Sequence, residues 1–182
     1  VATLAIITWW GHRRAAASRA LAEAIGGAAG AEPPQSPDPA SLGEIVERYR
    51  GTGAASIADA LLGQSAAARG DLAEARRRWA AFLEAAPESM LALAVRRNLF
   101  ALDRAEGRGE QAASEIRALL EAGDSPLPAD VLLYELGRSL EAAGAAAEAA
   151  EAYRRLAEEH PGSIYALEAR RAPAGPAGTP RP

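Results

Sequence analysis

The chain has 182 residues, with 20 basic and 24 acidic side chains and a net charge of −4 at pH 7. It contains no cysteine, and every basic residue is arginine, which excludes thiolate catalysis, zinc–thiolate sites and the lysine chemistry of Schiff bases and phosphate loops. Because the balance is acidic and no basic block stands out, nucleic acid is not expected as a partner.

Alanine dominates the composition and predicts helices. Of the residues, 48 are alanine, the best helix former, whereas leucine, isoleucine, valine and phenylalanine together number 33. β-Branched and aromatic residues are too few for a sheet protein. We therefore predict an all-α fold of closely packed helices, because small side chains allow helix axes to approach each other.

The first segment is the most apolar one. Residues 1–11 carry no charge and end on a tryptophan pair and a glycine, and Arg13 and Arg14 follow. A helix of this run would rise about 16 Å, half of the ~30 Å hydrocarbon core of a bilayer. Since the chain does not start with methionine, we predict that residues 1–12 are a truncated transmembrane or apolar anchor helix whose aromatic end marks the interface. A short apolar helix docked on the domain, or the remnant of a signal sequence, is the alternative.

A helix, a linker and a tail are predicted from composition. Residues 13–30 are an Ala-rich helix that ends in glycines, and residues 31–40 are a linker because their four prolines cannot continue a helix. Ser41 begins a capping box that predicts a helix to about Tyr49. Residues 172–182, mostly alanine, glycine and proline, are predicted to be a disordered tail.

A period of 37 residues runs through the middle of the chain. Leucine, glycine and alanine recur at this spacing, and a large residue behind each alanine keeps the register: Leu62, Leu99 and Leu136; Gly70, Gly107 and Gly144; Ala75, Ala112 and Ala149; Trp79, Ile116 and Tyr153. One helix ends near each glycine and the next begins just after it. Each unit is therefore predicted to be a helical hairpin with an apolar face that only stacking on a neighbour can bury.

Two of the units resemble the tetratricopeptide repeat (TPR). The residues that carry the resemblance are Leu62, Gly63, Gly70, Ala75, Trp79, Phe82 and Pro87 in the first unit, and Leu136, Gly137, Gly144, Ala149, Tyr153, Leu156 and Pro161 in the third. The middle unit departs from the pattern, because Phe100 replaces the packing glycine and Asp124 the closing proline. The spacing also exceeds the usual one of about 34, which predicts longer links or longer first helices.

The resemblance implies a fold class and domain boundaries. The fold it implies is an all-α, α-α superhelix (TPR-like solenoid) of about three helical hairpins with a C-terminal capping helix. The TPR-like helical repeat domain would occupy residues 41–171, with repeats at about 54–87, 91–126 and 128–161 and the capping helix at 163–171.

A narrower resemblance concerns the order of segments. The chain begins with an apolar anchor, a short Ala-rich helix and a Tyr49-Arg50-Gly51 segment, and degenerate repeats with a late Tyr134-Glu135-Leu136-Gly137 follow. This order looks like that of the bacterial TPR-like proteins related to the ancillary subunit of the Sec translocon. That resemblance implies a protein of the bacterial inner membrane whose repeat domain faces the periplasm and works with chaperones. The cytoplasm is the alternative location.

No catalytic, metal or cofactor site is predicted. His12 and His160 lie far apart in the sequence, and a histidine near a helix C-terminus is favoured by the helix dipole. The consecutive arginines of residues 76–78 fan around a helix and indicate a solvated face. We therefore predict that the protein is not an enzyme and has no cofactor.

A groove is the remaining candidate site. In TPR arrays the first helices line the concave side, and with Ser56, Leu93 and Asp130 as first positions, the family pattern places these residues there: Gln64, Arg97, Arg104, Tyr134, Arg138 and Glu141. Arginines and a tyrosine suit an acidic or extended peptide through charge-assisted and bidentate hydrogen bonds. An ordinary salt-linked helix surface is the alternative.

The predicted function is a non-enzymatic scaffold for protein–protein interaction. We expect a membrane-tethered TPR-like protein with a chaperone, translocon-associated or envelope-assembly role. Its expected partners are other proteins or extended peptide segments, with the Sec translocon and envelope proteins as candidates. The alternative is a soluble cytoplasmic TPR adaptor.

Overall fold

The structure is a computed structural model that describes residues 2–30, 36–123 and 125–170. Every regular element in these residues is an α-helix, so the predicted all-α fold is confirmed. In chain order the helices are α1 (Ala2–Ala29), α2 (Pro39–Arg48), α3 (Gly53–Ala68), α4 (Leu72–Ala85), α5 (Ala92–Ala105), α6 (Gly109–Ala122), α7 (Ala129–Ala142), α8 (Ala146–Glu159) and α9 (Ile164–Ala169).

The chain divides into two compact units, Val1–Val95 and Arg96–Pro182, which we call the N-terminal unit and the C-terminal unit. In the N-terminal unit α1 packs against α2 and α3, and α3 pairs with α4. In the C-terminal unit α7 packs against α6, α8 and α9. The boundary between the units falls within α5.

Three equivalent glycine turns set the repeat. Gly70, Gly107 and Gly144 have φ angles of 79°, 75° and 77°, in the left-handed region that residues with a Cβ rarely adopt. Each glycine N–H donates to a carbonyl three residues earlier, and the next N–H donates to one five residues earlier, as in the Schellman motif. As predicted, one helix therefore ends near each of the three glycines, and the next helix begins just after it.

The period of 37 is visible in the helix bounds. The second helices α4, α6 and α8 have 14 residues each and begin 37 residues apart. The link from α4 to α5 has six residues, against three in the glycine turn that joins α3 to α4. Longer links between hairpins therefore explain why the repeat exceeds 34 residues.

A glycine facing an aromatic ring fixes the helix pair in each unit. A Cβ added to Gly63 would lie 2.5 Å from Trp79 Nε1, and one added to Gly137 would lie 2.3 Å from Tyr153 Cε1. Trp79 Nε1 also donates a hydrogen bond of 3.2 Å to the Ala60 carbonyl on α3. The Leu-Gly pair of the sequence pattern is therefore the place where a ring of the second helix lies on the backbone of the first.

The middle repeat departs from this pairing of a glycine with an aromatic ring. Phe100 stands where the other repeats have glycine, and Ile116 stands where they have an aromatic residue. Both residues are buried in the core of the C-terminal unit. The middle repeat therefore has a large side chain at both positions, where each of the other repeats has one.

The first helix is one continuous element that packs on the domain. Ala17 and Leu21 of α1 are buried with Leu42 of α2 and Ala58 of α3. Arg13 Nη2 donates to the carbonyls of Arg48 and Arg50 at 3.2 Å each, at the end of α2 where carbonyls lack helical partners. These contacts attach α1 to α2 and α3 across the predicted boundary between residues 12 and 13.

The predicted location in the bacterial inner membrane, with the repeat domain facing the periplasm, is wrong. In the part of the chain that the structure describes, no helix is both long enough and apolar enough to cross a membrane. The apolar run is the beginning of α1, which continues through Arg13, Arg14 and Arg19.

The start of α2 differs from the prediction. Asp38, not Ser41, is the N-cap residue, and its carboxylate accepts hydrogen bonds from the N–H of Ser41 at 3.0 Å and from its hydroxyl at 2.9 Å. These bonds, the one from the backbone first, lower the pKa of Asp38. Pro39 follows at the first helical position, where a missing N–H costs nothing, so the capping-box interpretation placed the helix start three residues late.

Some predictions fall outside the described residues. The predicted tail at 172–182, residues 31–35 of the predicted linker and the substitution of proline by Asp124 all lie there.

Replacing Gly109 by alanine tests the contact between α6 and α7. A Cβ at Gly109 would lie 2.6 Å from the Ser139 carbonyl oxygen and 2.9 Å from the Ala143 nitrogen, and backbone atoms cannot move aside as a side chain can. We expect Gly109→Ala to lower the free energy of unfolding of the C-terminal unit by about 1–3 kcal/mol. Urea unfolding followed by tyrosine circular dichroism measures it, since three of the four tyrosines, Tyr134, Tyr153 and Tyr165, lie in this unit.

Gly43→Ala is the matched control, because a Cβ at Gly43 in α2 meets nothing within 4 Å. It should raise the stability of the N-terminal unit by about 0.5–1 kcal/mol, measured by the fluorescence of the three tryptophans, which all lie in that unit. Unchanged stability of Gly109→Ala would contradict the close approach of α6 to α7.

Candidate peptide-binding site

The six predicted groove residues belong to two different units. Gln64 is exposed on α3 in the N-terminal unit. The other five lie in the C-terminal unit: Arg97 and Arg104 on α5, and Tyr134, Arg138 and Glu141 on α7. The site described below is therefore built within the C-terminal unit.

A buried carboxylate that the sequence analysis missed lies at the centre of this site. Glu135 on α7 is only 1% exposed, and each of its oxygens binds a different arginine of α5. Arg97 Nε lies 2.8 Å from Oε1, and Arg104 Nη1 lies 2.8 Å from Oε2. We call Arg97, Glu135 and Arg104 the arginine–glutamate trio. The two predicted groove arginines are thus held by an acidic residue of the same chain.

Charge balance explains why this arrangement is stable. A buried carboxylate needs a counter-ion, because removing a charge from water costs several kcal/mol per ion. Burial by itself lowers the pKa of Arg97, but the hydrogen bond to Glu135 and the charge of its carboxylate outweigh burial and raise that pKa. Arg104, with a side chain 9% exposed, also lies 3.4 Å from the Ser139 hydroxyl.

Arg97 of the trio also binds a tyrosine of α9. Arg97 Nη1 donates to the Tyr165 hydroxyl on α9 at 2.9 Å. Arg97 therefore contacts α7 and α9 from α5. α5 and α7 are the first helices of successive hairpins, and α9 lies within the predicted capping helix.

Two tyrosine rings and two arginines form a partly exposed stack that includes Arg97 of the trio. The rings of Tyr134 and Tyr165 are stacked with centroids 5.0 Å apart and an interplanar angle of 29°. The guanidinium carbon of Arg97 lies 5.1 Å from the Tyr165 centroid, and that of Arg138 lies 5.9 Å from the Tyr134 centroid. We call these four residues the tyrosine–arginine stack. Both tyrosines are half-buried, the Arg97 side chain is 32% exposed and Arg138 is exposed, so the stack presents two rings and two cations to solvent.

Acidic neighbours complete the environment of the tyrosines. Burial and a hydrogen bond with Glu168 of α9 raise the pKa of Tyr134. Tyr153 of α8 donates a hydrogen bond of 2.9 Å to Glu141, and burial together with this bond raises its pKa. Glu141 is therefore bound to the second helix of its own hairpin, at the position where the Tyr153 ring lies on Gly137.

Sequence reasoning missed Glu135, Ser139, Tyr165 and Glu168. One signal was available for Glu135. α7 buries residues on almost every side, so a glutamate one turn after Val131 and one turn before Ser139 needed a cation from a neighbouring helix. Tyr165 carried no such signal, because its contact depends on where α9 lies on α7.

The described residues contain no group of three histidine, cysteine or acidic side chains that could hold a metal ion. The chemistry of this site is that of hydrogen bonding, aromatic contact and charge.

The comparison with protein families matches the third repeat, which contains Tyr134, Glu135 and Arg138. A family model described as tetratricopeptide repeat matches residues 131–163, which span most of α7 and all of α8. This part of the chain is similar to a TPR, and the fold is TPR-like. No curated protein matches the chain, and the narrower resemblance to the family of the ancillary Sec translocon subunit is not confirmed.

Glu135→Gln tests the trio. It leaves Arg97 and Arg104 without their common counter-ion, and breaking a buried ion pair from one side costs about 3–5 kcal/mol. We expect a loss of this size in the free energy of unfolding of the C-terminal unit, measured with urea and tyrosine circular dichroism. Glu158→Gln, at an exposed pair with Arg154, is the control and should change stability by less than about 1 kcal/mol. Equal effects of the two substitutions would mean that the trio is not buried as described.

Proposed function

We propose that the protein is a non-enzymatic interaction module whose C-terminal unit binds an extended, acidic segment of a partner protein. The binding surface is the face formed by α5, α7 and α9, with the tyrosine–arginine stack at its centre. The observation that carries this proposal is the stack itself: two stacked tyrosine rings, with Arg97 over Tyr165 and the exposed Arg138 over Tyr134.

The chemistry of these side chains supports protein recognition. Tyrosine and arginine are the residues that contribute most to binding at protein interfaces, because they offer large contact areas together with hydrogen-bond donors. A guanidinium group binds a carboxylate in a bidentate manner. Since the rings and Arg97 are already ordered by contacts within the chain, little side-chain entropy is lost on binding.

The TPR likeness supports a role in binding rather than in catalysis. Stacked helical repeats create extended surfaces that bind other proteins. Of the predicted groove residues, we propose Tyr134 and Arg138 as direct contacts, and Arg97 and Arg104 as their supports. Gln64 and Glu141 are not included, because Gln64 lies in the other unit and Glu141 is bound to Tyr153.

The adaptor role is the one that we propose. The translocon-associated, chaperone and envelope-assembly roles depend on the narrower resemblance alone, whereas an adaptor needs only a repeat surface with partner-binding side chains. The proposal includes no membrane tether.

Selection from a displayed library of random peptides tests this function. We expect peptides selected on the wild-type chain to be enriched in acidic residues. Arg138→Glu and Tyr134→Ala should each weaken binding of a selected, fluorescein-labelled peptide at least tenfold, measured by fluorescence anisotropy. Arg19→Glu, which makes the same change of charge at an exposed position of α1, is the matched control and should bind as the wild type does.

Enrichment of peptides without acidic residues would contradict the proposal. So would a selected peptide whose affinity is the same for the wild type, Arg138→Glu and Tyr134→Ala.

A further inference from the structure

The trio carries two positive charges and one negative charge. The guanidinium groups of Arg97 and Arg104 converge on a single carboxylate, and two converging arginines are the usual arrangement for binding an anion. In this chain the anion is supplied by Glu135. Both of its oxygens are used, and it is fixed on α7 at a position that solvent hardly reaches.

An external anion would have to displace Glu135 to bind these arginines. A carboxylate fixed on a helix has a high effective concentration at its site, because no freely moving linker separates it from the arginines. Displacement would also leave Glu135 buried without a counter-ion, which is costly. The internal carboxylate therefore has the advantage over any anion of a partner.

We infer that Glu135 is a specificity-determining residue: it acts as an internal ligand of Arg97 and Arg104, keeps multiply charged anions off this face, and leaves partner recognition to Tyr134, Tyr165 and Arg138. The partner segment that fits best carries one acidic group for Arg138 beside an apolar or aromatic group for the tyrosine rings. A polyacidic segment or a phosphate group gains nothing from the closed arginine pair. The part of this inference that concerns the partner rests on the proposed function; the part that concerns the arginine pair does not.

Removing the internal ligand should open the site to external anions. Glu135→Gln keeps the shape of the side chain but removes its charge, so that sulfate can take the place of the carboxylate. We expect sulfate at millimolar concentration to raise the melting temperature of the C-terminal unit in Glu135→Gln by at least about 3 °C relative to chloride at equal ionic strength. Tyrosine circular dichroism reports mainly on this unit, which contains three of the four tyrosines, and tryptophan fluorescence of the N-terminal unit is an internal control.

Three further variants make the test specific. In the wild type, Arg104→Gln and Glu158→Gln, sulfate and chloride should have equal effects, because the arginine pair is either closed or absent. The double variant Glu135→Gln/Arg104→Gln should lose the response to sulfate. A purely structural ion pair predicts a less stable Glu135→Gln that gains no anion binding, and that result would overturn the inference.

The wild type and Arg104→Gln together also decide the question if Glu135→Gln does not fold. Stabilisation of the wild type by sulfate, absent in Arg104→Gln, would show that the arginine pair is open and would overturn the inference. Equal responses of these two proteins support it.

A hexaglutamate peptide extends the test to partner chemistry. We expect it to bind Glu135→Gln at least tenfold more tightly than the wild type. Equal affinities would overturn the inference. If peptides selected on the wild type are polyacidic and depend on Arg104, the inference is wrong while the proposed function stands; if no acidic peptide is selected but the sulfate responses are as expected, the proposed function fails and the closed arginine pair remains.

Discussion

The buried carboxylate of Glu135 needs positive charge, and this requirement connects the helices of the C-terminal unit. α7 places the glutamate where solvent hardly reaches it, and α5 supplies two arginines at 2.8 Å. Arg97 then reaches Tyr165 of α9, and Tyr165 stacks on Tyr134 of α7. The contacts that neutralise one buried charge therefore also order the aromatic surface that we propose for partner binding. Buried ion pairs add little net stability over apolar packing, so such a trio is better explained by the geometry that it imposes than by the energy that it supplies.

Local geometry made most of the fold predictable from the sequence. A glycine at a φ near 75° has few substitutes, so the recurrence of Gly70, Gly107 and Gly144 revealed both the turns and the period. Gly63 faces Trp79 and Gly137 faces Tyr153 for a steric reason as well, since these rings lie so close to the helix backbone that a Cβ would clash with them. The misplaced start of α2 was a local error, since the cap of Asp38 lies within three residues, whereas the wrong location depends on tertiary contacts. The apolar run at the N-terminus was interpreted by its own composition, whereas α1 continues past it and packs on α2 and α3.

The candidate site could be predicted only in part, for a related reason. The family pattern was enough to place Arg97, Arg104, Tyr134 and Arg138 on first helices. It was not enough to show that Glu135 holds the two arginines, because that depends on the side-chain packing of α5 against α7. A glutamate on the buried face of a first helix, as Glu135 is on α7, is a sign of such a trio, and it can be sought in other repeat sequences.

A double-mutant cycle between Arg104 and Glu135 tests the central claim most directly. Urea unfolding of the wild type, Arg104→Gln, Glu135→Gln and the double variant, followed by tyrosine circular dichroism, gives the interaction free energy of the two side chains in the C-terminal unit. A buried trio predicts an interaction of about 1.5–3 kcal/mol, with the double variant more stable than the sum of the single effects allows. Effects that add within about 0.5 kcal/mol would contradict it, because the two side chains would then be independent.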